Sequence, residues 1–204
     1  TSLFFRLCVY RTPEEDFISL FQSIAKHSSL TNLSCEISDP KVTPDIQKNM
    51  IRHIATLNLV VLSIVILSKA TVMDNNSISF NELRNLRVLN ITIGAYFLIE
   101  SKLLIFIDQL LDLESFSLKY EYLWCSNPRF TRHRNYDFFS DSQGTIPFLE
   151  VLPTFKKLKS FSLDIGITEI MLKNINKAVK GMESLVDLKW TTDDLTCYPS
   201  TLEE

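Results

Sequence analysis

Residues 121–147 read EYLWCSNPRFTRHRNYDFFSDSQGTIP and set Trp124, Phe130, Tyr136, Phe138 and Phe139 among Arg129, Arg132, His133 and Arg134. Aromatic rings and guanidinium groups together supply what binding hot spots use. Rings bring large contact area on few rotatable bonds, and arginine brings a planar charged fork. A protein-binding loop is the first reading. The same mixture could stack on and pair with single-stranded RNA, with Asp137 and Asp141 offsetting part of the positive charge. A structural insert folded back on the rest of the chain is the third.

Covalent and metal chemistry finds no comparable cluster. The histidines are His27, His53 and His133, and none stands at metal-ligand spacing from a Cys, Asp or Glu. No G-x-S-x-G or H-E-x-x-H is present, and only 4 glycines are available for a phosphate-cradling loop. Glu14 and Glu15 are explained by helix capping. The expectation is a protein that is not an enzyme, with no cofactor, no bound metal and no small-molecule substrate.

A binding loop must be held by something rigid, and the rest of the chain is built from one recurring phrase, apolar-x-x-apolar-x-apolar. It occurs at Phe4-x-x-Leu7-x-Val9, Leu30-x-x-Leu33-x-Cys35, Leu59-x-x-Leu62-x-Ile64 and Leu86-x-x-Leu89-x-Ile91. It continues at Leu113-x-x-Phe116-x-Leu118, Leu158-x-x-Phe161-x-Leu163 and Leu185-x-x-Leu188-x-Trp190. The phrases start at positions 4, 30, 59, 86, 113, 158 and 185. A period of roughly 27 residues, kept at every step but one, marks an internal repeat. The exception is the long interval from Leu113 to Leu158, and its excess falls on 121–147.

Helix signals fill the spaces between phrases. Thr12-Pro13-Glu14-Glu15 reads as a capping box with proline at the first helical position. Phe17, Leu20, Phe21 and Ile24 then form one apolar stripe. Thr43-Pro44 opens a second stripe of Ile46, Met50, Ile54 and Leu57. A helix is expected over Ile99, Leu103, Ile107, Leu110 and Leu111, and another after Thr168 over Met171, Ile175, Ala178, Val179 and Met182. Residues 68–82 show little helical periodicity and read as a loop with at most a helical turn.

Each unit is thus a short strand followed by a helix, and stacked units would bury one continuous core. Parallel strands would line the inner side of an arc, with helices outside. The variable positions of each phrase then face away from the core. They include Arg6, Cys8 and Tyr10 in the first phrase, Val61, Ser63 and Val65 in the third, and Val88, Asn90 and Thr92 in the fourth. Small hydroxyls dominate, with an apolar patch at Val61, Val65 and Val88. That patch reads either as a docking surface for a protein or as a solvated sheet whose valines a neighbouring loop covers. The first phrase starts the array with a bare apolar edge, which calls for more chain upstream or a docked neighbour.

Composition sets the setting. The 204 residues are 46% hydrophobic with a net charge of −3, enough for one array, 1–204, and poorly suited to a surface given over to nucleic acid. Cys8, Cys35, Cys125 and Cys197 are scattered with no C-x-x-C, as reduced thiols of an intracellular protein, cytoplasmic or nuclear, would be. The run LNLVVLSIVIL at 57–67 falls short of the roughly 20 residues that span a bilayer, so it reads as a buried strand and no membrane association is expected. The sequons at Asn32, Asn75 and Asn90 are no more than chance supplies. A chain that begins at Thr1 is also compatible with being part of a longer one.

The phrase and its period resemble the leucine-rich-repeat superfamily, in its longer, helix-bearing form found in ribonuclease-inhibitor-like and F-box-associated proteins. The resemblance covers about residues 3–191. It implies an α/β solenoid of about seven repeats, with a curved parallel sheet inside and helices outside. It also implies a protein-interaction role, as scaffold or recognition subunit of a larger complex. The substrate-receptor portion of an F-box-type ubiquitin ligase is an alternative, and an RNA-binding ribonucleoprotein subunit using the insert is another. The family's Asn or Cys ladder position holds Thr12, Ser38, Leu67, Gly94, Glu121, Gly166 and Asp193 here, so that ladder is missing.

Overall fold

Alternation of apolar and small polar residues makes strands, and each recurring phrase after the first does so where it stands. The structure is a computed structural model. It describes residues 1–7, 14–37, 44–66, 77–94, 104–121, 147–164 and 169–190. In β2 (Asn32–Ile37) and β3 (Val61–Ile66) every second residue is buried. The same period of two runs through β5 (Val88–Gly94) and β8 (Ser160–Asp164). With β1 (Ser2–Leu7), β7 (Ser115–Glu121) and β9 (Asp187–Trp190) they form a seven-stranded sheet, ordered β1-β2-β3-β5-β7-β8-β9. Every neighbouring pair is parallel. The fold class is α/β.

One line of core residues crosses all seven strands. Leu3, Leu33, Leu62, Leu89, Phe116, Phe161 and Leu188 are register partners in succession. This corrects the first phrase, whose central leucine the sequence places at Leu7, whereas the sheet uses Leu3. LFFRLCVY is apolar at most positions, so the phrase fits it at more than one offset. With Leu3 in line, the step from β1 to β2 comes close to the step from β2 to β3.

A regular backbone joint accompanies each step. The carbonyl of Thr1 accepts the amides of Thr31 and Asn32, that of Thr31 accepts Val60 and Val61, and that of Val60 accepts Arg87 and Val88. Arg87, Glu114 and Lys159 carry the same double acceptance onward to Asp187. Ahead of these joints, i to i+3 turns bury one apolar residue in three. Phe80, Leu83 and Leu86 form one such run, Ile107, Leu110 and Leu113 the next, and Leu152, Phe155 and Leu158 a third.

Helices α1 (Glu14–Ala25) and α2 (Pro44–Ala55) form where the stripes lie. Phe17, Phe21 and Ile24 of α1 are buried, as are Ile46, Met50 and Ile54 of α2. Phe21 meets Phe5 edge-on at 5.9 Å between ring centres, which ties α1 to the buried face of the sheet. A short helix α3 (Pro147–Val151) runs into a 3-10 turn at Leu152–Thr154. Helix α4 (Glu169–Val179) follows β8. Ile175 and Ala178 are buried, and Met182 lies buried just past its end. Thr12, Pro13 and Thr43 lie outside the described residues.

Two expectations are overturned between β3 and β7. Ser77–Ser79 forms strand β4 where a loop is expected, and Leu104–Phe106 forms strand β6 within the expected helix; the two pair in parallel. In LLIFI, Ile105 and Ile107 are buried while Phe106 is 38% exposed, a period of two, and Leu111 is 57% exposed rather than on a buried stripe. Leu103 and Ile107 suit a helical stripe and, with Ile105 between them, also suit alternation, and an extended partner at β4 decides for the strand.

Gly181, just beyond α4, has nothing within 4 Å of where a β-carbon would sit and no left-handed φ. Gly181→Ala should therefore stabilise the fold by about 0.4–1 kcal/mol through the unfolded chain. Urea titration of the two proteins would show the midpoint rise with the slope unchanged.

Candidate interaction face

The side chains that alternate with the core form the sheet's other face. Asn32, Val61, Val88, Ser115 and Ser160 make one row across β2, β3, β5, β7 and β8. Ser34, Ser63, Asn90, Ser117 and Ser162 make the next, and Glu36, Val65, Thr92, Lys119 and Asp164 the third. Arg6 stands in that third row as partner of Glu36. Cys8 and Tyr10, which the sequence sets on this face, lie outside the described residues.

Val61 and Val88 are direct register partners, and Val65 lies further along β3, beside Thr92. All three are half-buried by their neighbours. From β2 to β9 the face is assembled as the sequence places it, with small side chains in the first two rows of its centre, whereas on β1 the offset puts Phe4 beside Ser34. Asn90 donates from Nδ2 to Ser63 Oγ at 3.0 Å, which orders its centre. The first two rows of β3, β5 and β7 carry no charge, and Lys119 is the first met in the third. Protein interfaces share this layout, a centre depleted of charge inside a polar rim.

The rim at the strand starts is ion-paired. Arg87 Nη1 reaches Glu114 Oε1 at 3.1 Å, and Lys159 Nζ reaches Glu114 Oε2 at 2.8 Å. The bond from Lys159, and then that from Arg87, holds the Glu114 carboxyl below the usual carboxylate range. Lys157 does the same for Asp112, and Lys189 for Asp187. Asn85 also donates to Asn58 at 2.6 Å. These solvated pairs add little stability each; all but Lys189–Asp187, which lies within β9, join one strand's unit to the next.

Two edge features break the mild surface. Phe4 is 73% exposed on the edge strand β1, and Val186 is 87% exposed beside β9 at the opposite edge. A cavity of about 590 Å³ lies off the sheet, lined by Arg52, Ala55, Thr56, Ser79, Asn81, Glu82, Arg84 and Gln109.

Trp124, Arg129, Phe130, Arg132, Arg134, Tyr136, Phe138 and Phe139 lie outside the described residues, as do His133, Cys125 and Cys197. What the sequence does not single out is how the long interval is anchored. Phe148 of α3 meets Phe116 at 5.5 Å and 85°, and Phe161 at 6.5 Å and 74°, while Phe116 and Phe161 stack at 5.9 Å. The available signal was phenylalanine in the two phrases flanking the long interval, where other described strands have leucine.

The polar chemistry inside the core is slight. His27 is exposed and His53 half-buried in α2. Among the described residues no group of three or more His, Cys, Asp or Glu could hold a metal ion. No helix among them is long and apolar enough to cross a membrane. The chain matches no protein-family model, no curated protein and no solved structure.

Cys35 is buried on β2, and burial pushes its thiol up to about 12 from an ordinary 9.0. It is a core residue and a poor nucleophile. Because the folded value is raised, the stabilisation is complete below about pH 9 and is lost as pH climbs toward about 12. The slope is about 1.4 kcal/mol per pH unit in that window. Replacing Cys35 by alanine should remove this component from the pH dependence of urea unfolding. A thiol reagent at pH 8 should label Cys35 only after denaturant is added.

Proposed function

We propose that the chain is a leucine-rich-repeat solenoid of about seven units that works, without catalysis, as a protein–protein interaction module in a larger complex. The observation that carries this reading is the uncharged centre of the sheet's open face, with Val61 against Val88 and Val65 beside Thr92. The repeated register and the identical backbone joint at each step support the solenoid. A rigid sheet presents that face with little ordering cost on binding. The 121–147 insert adds an aromatic and arginine anchor. The buried, unpaired Cys35 thiol agrees with a reducing compartment, cytoplasm or nucleus.

Affinity purification from the native source tests this, with the intact chain, a Val61→Glu, Val88→Glu variant, and a chain whose residues 121–147 are replaced by a Gly-Ser linker. Each is eluted with and without nuclease. Protein partners that survive nuclease and are lost with either change support the reading. Recovery that collapses on nuclease treatment contradicts it in favour of RNA.

A further inference from the structure

We draw no further inference here: the strongest candidate, the apolar outer edge of the sheet at β1 where Phe4 is 73% exposed, carries nothing because no contact among the described residues shows what covers it.

Discussion

Phe116→Ala will destabilise the fold by about 3–5 kcal/mol, the range for deleting a buried ring. Phe116 is fully buried and central to the three-ring cluster, with Phe148 edge-on and Phe161 stacked upon it. Removing the ring opens a cavity beneath the only helix the described residues place directly after the long interval. Phe116→Leu should cost far less, about 1 kcal/mol, because leucine fills the same line at Leu62 and Leu89. A double-mutant cycle with Phe148→Ala should show coupling of about 0.5–1.5 kcal/mol. Additive losses in urea unfolding would mean that Phe148 does not clamp this part of the sheet.

A second large effect is expected on β5, at adjacent positions on opposite faces. Leu89→Asp puts an unpaired carboxylate where exposure is nil, between Leu62 and Phe116. The desolvation penalty is several kcal/mol, comparable with the whole stability of a domain, about 5–15 kcal/mol. The chain should lose its cooperative unfolding transition at neutral pH. Val88→Asp, on the half-buried open face, should cost about 1 kcal/mol or less. Circular dichroism and urea titration of the two variants distinguish them at once. Comparable losses would mean that the face assignment of β5 is wrong.

The strands of the main sheet from β2 to β9 were legible because a period of two is hard to imitate when it returns at so even a spacing. Leu89, Phe116 and Leu188 stand where the phrase predicts. The first phrase failed for the opposite reason. In LFFRLCVY too many positions are apolar for alternation to set the offset, and only pairing of Leu3 with Leu33 decides it. The helix expected at 99–111 shows a second limit. Leu103 and Ile107, four apart, suit a helical stripe and, with Ile105 between them, an alternation as well, so the choice of strand rests on β4, a segment remote in sequence. On the open face, Val61, Val65 and Val88 could be named in advance because alternation says which residues turn away from the core. The cavity lined by Arg52 and Arg84 could not, since nothing local announces that strand β4 will lie beside the end of α2.

Site-specific photo-crosslinking in the native cell tests the interaction claim most directly. A benzophenone side chain would be placed at Val88 on the open face, at Phe138 in the insert, and at exposed Leu111 as a control. The expected result is a discrete protein adduct from Val88 or Phe138, resistant to nuclease and absent from Leu111. Adducts to RNA alone, or the same adducts from all three positions, would contradict it.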